Sequence, residues 1–333
     1  MLNRRNFLTA AVGVAAATGL AACAKKDDGD STSSGGDGKI VLGFSQVGSE
    51  SGWRSANTDS VKAAAKEAGY NLKFSDAQQK QENQISAIRS YITQGVDVIA
   101  FSPVVVTGWD AVLKEAKAKK IPVVLTDRSV ETSDESLYVT LVGSDFTAEG
   151  RRAGKILEKV LEKAGHKGPV KIAQLEGTTG AAPAIERAKG FKEVMDADHA
   201  SDWKIVVSQT GDFTRAGGKQ VMAAFLQSNP DVNVLFAHND DMAIGAIQSI
   251  EAAGKKPGKD ILIVSIDGVK DGFIAMSEGK INAIVECNPL LGPQLMEVVK
   301  KVKDGETVER WIKTKEGDFM QDQAKAALPT RKY

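Results

Sequence analysis

The chain has 333 residues, with 43 Lys and Arg balanced against 43 Asp and Glu, so its formal net charge is zero. No basic excess is available to neutralise phosphates, which argues against nucleic acid as a partner. Two cysteines, Cys23 and Cys287, exclude a disulfide framework and a cysteine-rich zinc site, and His166, His199 and His238 are too scattered to suggest a metal cluster, so neither a metal nor a cofactor is implied. The length exceeds what one core usually serves, which makes two domains the first expectation.

The N-terminus reads as an address. Arg4 and Arg5 form a positive segment, and residues 7–20 follow without a charge, rich in Ala, Val and Leu. That run is shorter than the roughly 20 residues of a membrane span and has signal-peptide anatomy over residues 1–22. It ends in Leu20-Ala21-Ala22-Cys23, similar to a bacterial lipobox, in which the Cys23 thiol is the nucleophile that takes a diacylglycerol. Arg4-Arg5-Asn6-Phe7-Leu8 also resembles a twin-arginine signal, and a plain secretory signal is equally compatible. Residues 23–38, rich in Gly, Ser and Asp, read as a solvated tether. The four basic and four acidic residues before Lys39 cancel, so the zero net charge belongs to the body of the chain.

From Lys39 onward strands and helices alternate. Residues 40–45 form a short apolar run, a buried strand. Helical spacing over 55–68 stops at Gly69, a C-cap signal, and a strand follows at 71–74. A helix over 82–94 places Ile85, Ile88 and Ile92 on one face and ends at Gly95. Further strands at 96–101 and 121–125 flank a helix at 109–119. The alternation restarts near residue 145: helices at 147–164, 184–196, 217–227 and 242–253 interleave with strands at 170–175, 203–208, 232–237 and 261–266. Residues 283–285 end the series as a further strand. The fold class is therefore α/β, two doubly wound parallel-sheet lobes, alike in pattern though without a visible sequence repeat.

In such sheets ligands bind beyond the carboxyl ends of the strands. Polar residues cluster there: Glu50, Ser51, Gly52, Trp53 and Arg54 after the first strand, Asp127 and Arg128 after the strand at 121–125, Asn239 after 232–237, Asp267 after 261–266 and Glu286 after 283–285. Carboxylates accept paired hydrogen bonds, arginine donates in a rigid fork, and an amide does both, a set that suits the vicinal hydroxyls of a sugar. Trp53 and Phe213 are candidates to cover the C–H face of the ring; roughly 80–100 Å² of buried ring surface contributes about 2–2.5 kcal/mol. His238 reads as structural, Asp240 and Asp241 as caps of the helix from 242, and Gly177-Thr178-Thr179-Gly180 as a loop. Arg187, inside a helix, reads from spacing alone as solvated.

The segments 43–54, 78–84, 102–109, 126–129, 211–215, 237–242 and 265–268 together resemble the periplasmic sugar-binding proteins of bacterial ABC transporters, in the group typified by ribose-binding protein and nearest its galactofuranose binders. The resemblance implies the type I periplasmic binding protein fold, with three crossings between lobes near Ser144-Asp145, Glu286-Cys287 and Lys313. It implies an N-terminal lobe of 39–144 plus 287–313 and a C-terminal lobe of 145–286 plus 314–333. Residues Glu50 to Arg54 match the family's first binding loop and Asp127-Arg128 its acid–arginine pair. Arg187 falls where the family places a cleft arginine, Asn239, Asp267 and Glu286 match its remaining polar ligands, and Phe213 an aromatic wall. Segment 287–292 is one residue shorter than in the galactofuranose binders.

The implied protein is an exported, lipid-anchored monomer facing the periplasm or cell exterior. It captures a monosaccharide, galactofuranose or a related furanose or pyranose, and delivers it to an ABC permease. Two alternatives carry the same cleft. One is a receptor feeding a chemoreceptor or sensor kinase. The other is a glycoside hydrolase using two cleft carboxylates, disfavoured because each acid has an arginine beside it. A DNA-binding regulator of the same fold would need a helix-turn-helix before residue 39, where the signal and tether stand instead.

Overall fold

The computed structural model describes residues 38–333; the signal segment, Cys23 and the tether to Asp37 lie outside the described residues. Residues Lys39–Tyr333 form one compact unit built on two six-stranded sheets. In the first, β1 (Val41–Gln46), β2 (Asn71–Asp76), β3 (Val98–Phe101), β4 (Val123–Thr126), β5 (Thr140–Gly143) and β11 (Trp311–Lys313) lie in the order β11-β5-β4-β3-β1-β2. In the second, β6 (Val170–Glu176), β7 (Trp203–Thr210), β8 (Val234–Ala237), β9 (Leu262–Asp267), β10 (Ala283–Glu286) and β12 (Asp318–Met320) repeat that order as β12-β10-β9-β8-β6-β7. The two sheets are thus the same winding twice. They differ at one edge: β11 runs parallel to β5, whereas β12 runs antiparallel to β10, so the second sheet is not wholly parallel as expected.

The sequence explains why these runs are central strands. In β4 every residue is buried, and alternation sends Val123 and Leu125 to one face and Val124 to the other. The first face packs on α2 (Gln81–Gln94) and α3 (Asp110–Ala118) through Ile88 and Leu113; the second packs on α1 (Gly52–Glu67) and α9 (Gly292–Lys303) through Val61 and Leu295. The second sheet is covered likewise by α4 (Phe146–Lys163), α5 (Ala182–Asp198), α6 (Arg215–Ser228), α7 (Asp240–Ala252) and α8 (Lys270–Ser277), with the short α10 (Ala324–Ala327) near the C-terminus.

Several helices start one to three residues earlier than their apolar spacing predicts, because a side chain just before them caps them. Ser51 accepts from the Arg54 N–H at 3.1 Å, so α1 begins at Gly52 and carries Trp53 and Arg54 in its first turn. Thr214 caps α6 and Asp145 caps α4 in the same way. The α7 cap is Asn239, whose Oδ1 accepts from the Met242 N–H at 2.9 Å. Asp240 and Asp241 are therefore not caps; they lie in the first turn and bond elsewhere. Strands β5, β11 and β12 and helices α8 and α9 are elements that the sequence pattern above does not mark.

Candidate functional site

The carboxyl ends of both sheets converge on one cavity. Glu50, Ser51, Trp53, Arg54, Asp127 and Arg128 line it from the first sheet; Arg187, Phe213, Asn239 and Asp267 line it from the second. Phe146, Pro183 and Cys287 complete the wall.

On the first side the centre is Arg54. Its Nε donates to Glu50 Oε1 at 3.1 Å, its Nη2 lies 2.8 Å from Asp127 Oδ2, and its Nη1 donates to Gln46 Oε1 at 3.1 Å. Burial works to lower its pKa, but the Asp127 and Glu50 charges outweigh that and raise it. Asp127 also accepts from the Ser102 hydroxyl at 2.9 Å. Its backbone sits at φ 65°, and Gly143 makes this possible, since a Cβ there would come within 2.8 Å of the Asp127 carbonyl oxygen. Arg128 donates through Nη1 to the Val104 carbonyl at 3.2 Å. Burial, then the neighbouring Arg54 charge, brings its pKa down to about 10, so it stays charged at neutral pH. Glu50 Oε2 and Arg128 Nε are buried without a hydrogen-bond partner, an acceptor and a donor both belonging to residues that line the cavity.

On the second side Arg187 is buried, not solvated as its spacing suggests. Its Nε donates to Glu149 Oε2 at 2.8 Å, its Nη1 to the His238 carbonyl at 2.6 Å, and its Nη2 lies 3.7 Å from Asp267 Oδ1. Burial raises the Glu149 pKa to about 8 against the opposing Arg187 charge, and burial likewise holds the Asp267 carboxyl well above its usual range. His238 is fully buried beside Gln174 and has its pKa lowered to about 3 by burial and then by Arg187, in keeping with a structural residue.

Backbone strain is concentrated here as well. Asp267 sits at φ 127° and Phe213 at φ 60°. Asp240 holds the loop after β9 in place, accepting from the Gly268 and Val269 N–H groups at 2.8 and 2.9 Å, and so positions Asp267. Phe213 lies over Gly177, where a Cβ would be 1.8 Å from the ring. Asn239 is already committed in part, capping α7 and donating to the Phe213 carbonyl at 3.1 Å.

The two sides touch directly. The Gly52 N–H donates to Asp241 Oδ2 at 2.8 Å and the Val106 N–H to the Gly180 carbonyl at 2.9 Å, while Trp53 Nε1 donates at 2.7 Å to the carbonyl of Cys287, where the chain crosses after β10. The Arg128 guanidinium lies 5.4 Å from the Phe213 ring centre, a contact from one sheet's loops to the other's.

Two expected ligands are not cavity walls. Gly52 acts through its N–H as the bridge to Asp241. Glu286 is drawn away: Oε1 accepts from Arg331 at 2.6 Å and from the Tyr333 hydroxyl at 3.0 Å, and Oε2 from the Gly317 N–H at 2.8 Å. The sequence reading had no means of finding Phe146, Pro183, Cys287 and Glu149, apolar or helical positions that carry no polar strand-end signal.

Residues 42–307 match the model of the periplasmic binding protein domain. The chain is 48% identical over 297 residues to the galactofuranose-binding protein YtfQ of Escherichia coli (strain K12), covering 88% of this chain and 92% of that protein. A solved structure from Mycobacterium smegmatis in complex with β-D-fucofuranose is 61% identical, with a TM-score of 0.85 over 88% of this chain and 95% of that one. The periplasmic binding protein component of the arabinose ABC transporter from Shewanella sp. ANA-3, bound to α- and β-L-arabinofuranose, is 50% identical, with a TM-score of 0.82 over 88% and 96%. With four-fifths of its length matched by the family model, the chain belongs to the periplasmic binding protein family.

Proposed function

We propose that this chain is a solute receptor that captures one monosaccharide, in its furanose form, and delivers it to the permease of an ABC importer. The observation that carries the reading is the buried, charge-paired lining contributed from both sheets: Glu50, Arg54, Asp127 and Arg128 opposite Arg187, Asn239 and Asp267. Paired acids and guanidiniums offer acceptors and donors at close range with little net charge, which suits a neutral polyol better than an anion. The furanoses bound by the two similar solved proteins support the ring form.

Within this reading Glu50, Ser51, Arg54, Asp127, Arg128, Arg187, Asn239 and Asp267 are the polar contacts, and Trp53 and Phe213 the apolar ones. The sheet membership of β5, β10, β11 and β12 supports the division into lobes 39–144 plus 287–313 and 145–286 plus 314–333. A sugar touching both lobes favours the closed arrangement by its differential contacts, and closure is the state a permease reads. The segment before Lys39 supports export with lipid attachment at Cys23, the receptor acting as a monomer.

Calorimetry of the full chain with D-galactose, L-arabinose and D-fucose, whose solutions contain furanose rings, tests the reading. One-site saturable binding of at least one is expected. Failure of all three, together with a wider monosaccharide panel, would overturn it. Conversion of a bound sugar, followed by NMR, would replace the receptor by an enzyme.

A further inference from the structure

Behind the cavity, the chain passes between the two sheets at three places: after β5 at Ser144, after β10 at Cys287–Asn288, and between β11 and β12 at residues 314–317. One carboxylate takes a hydrogen bond from all three. Glu316 Oε1 accepts from the Ser144 hydroxyl, from the Thr314 hydroxyl at 2.9 Å and from the Asn288 N–H at 3.3 Å. Its Oε2 accepts from Arg152 Nη2 at 2.9 Å, and the same nitrogen donates to the Glu286 carbonyl at 3.1 Å. The Glu316 side chain is 7% exposed, so these bonds are shielded from water.

This group also borders the cavity wall. Cys287 lines the cavity, its Sγ lies 3.4 Å from the Ser144 hydroxyl, and its carbonyl receives Trp53 Nε1. Glu149, the partner of Arg187, places a carboxylate oxygen within 4.8 Å of both Cys287 Sγ and a Glu316 oxygen. Three such donors could in principle hold a cation. Here Arg187 and Arg152 already supply the positive charge to the two carboxylates, which makes the cluster a hydrogen-bonded joint rather than a metal centre.

We propose that Glu316 is a positioning residue that sets the balance between the open and closed cleft, and through it ligand affinity, without touching the ligand. The inference rests on the receptor reading above. Opening a hinge changes the backbone dihedrals of the crossing segments. A single carboxylate bonded to all three segments favours the arrangement in which all three donors reach it. Here that arrangement is the one in which Gly52 meets Asp241 and Val106 meets Gly180. Apparent affinity scales with the fraction of protein in the binding-competent state, so a residue that shifts this fraction changes affinity from a distance.

The test compares the full chain with Glu316→Ala and Glu316→Gln by small-angle scattering without ligand, and by stopped-flow binding of L-arabinose, D-galactose and D-fucose. Glu316→Ala is expected to enlarge the radius of gyration of the unliganded protein and to weaken binding about tenfold through the competent fraction. Saturating sugar should return it to the wild-type radius. Glu316→Gln, which keeps an acceptor and loses the charge, should lie between. A melting temperature that falls while the unliganded radius and the binding rates stay at wild-type values overturns the proposal. Should Glu316→Ala fail to fold, Ser144→Ala and Thr314→Val each remove one donor and should shift the radius in the same direction; no shift in either overturns it. The scattering arm reads the hinge whether or not any of these sugars binds, so its outcome is separate from that of the receptor reading.

Discussion

The two halves of the cavity are built on opposite electrostatic plans. On the first-sheet side two acids meet two guanidiniums: Glu50 and Asp127 with Arg54 and Arg128. On the second-sheet side Arg187 alone faces Glu149 and Asp267, and both acids are held above their usual pKa range by burial. The first half pairs its acids with as many guanidiniums; in the second, burial favours the protonated form of both acids against the single opposing arginine.

The largest effect should come from breaking the balanced half. Arg54→Ala leaves Glu50 and Asp127 buried without their shared partner, and removing one member of a buried ion pair costs about 3–5 kcal/mol. Sugar binding should fall below detection in calorimetry and the melting temperature should drop. A loss of less than tenfold would contradict the central place given to Arg54.

Arg187→Lys should come next. It keeps the charge and loses the planar fork that reaches Glu149, the His238 carbonyl and Asp267 together, so affinity should fall by about 10–100-fold. Unchanged affinity in a titration would show that charge alone suffices on that side. Gly177→Ala drives a methyl group into the Phe213 ring and should move the aromatic wall, weakening binding by about tenfold, a loss on the scale of one displaced aromatic contact. An unaltered dissociation constant would remove Phe213 from the site.

The comparison also has a pH signature. Glu149 ionises near 4.5 when unfolded and near 8 when folded. Between those values the unfolded chain has released a proton that the folded chain keeps. The Glu149 contribution to stability is therefore full below pH 4.5, declines as pH rises towards 8, and is constant above. His238 has the opposite sign: with a folded value of about 3, it destabilises the fold only as pH drops below about 6.5. Melting curves from pH 5 to 8 should show the wild type losing stability relative to Glu149→Gln; parallel curves would mean that Glu149 is ionised throughout.

The smallest effect on binding is expected from Glu286→Gln. Its partners are Arg331, Tyr333 and Gly317, so the melting temperature should fall while sugar affinity changes by less than about twofold, as for a residue outside the ligand's reach. A tenfold loss of affinity would return Glu286 to the ligand contacts.

Much of this arrangement was legible in the chain. Buried apolar runs and glycine stops marked most of the strands and helices, and Asp127-Arg128 and Asp267 stood out because a polar group at the end of a buried strand needs a reason to be there. Arg187 was different. On a helix its spacing carries no sign of burial, and only the resemblance to sugar-binding relatives raised it. Glu286 also meets the strand-end rule, yet its side chain is held by Arg331 and Tyr333, 45 and 47 residues downstream, which no local pattern shows. Glu149 and Glu316 were invisible because their partners are not local: the packing of α5 on α4 brings Arg187 to Glu149, and the crossings bring Ser144 and Asn288 to Glu316.

The most direct test of the account is the structure of the full chain crystallised with whichever of L-arabinose, D-galactose and D-fucose binds most tightly. The account predicts one furanose ring between Arg54, Asp127 and Arg128 on one side and Arg187, Asn239 and Asp267 on the other, bonded to both. A sugar bound elsewhere, or held by residues of one sheet alone, would contradict it.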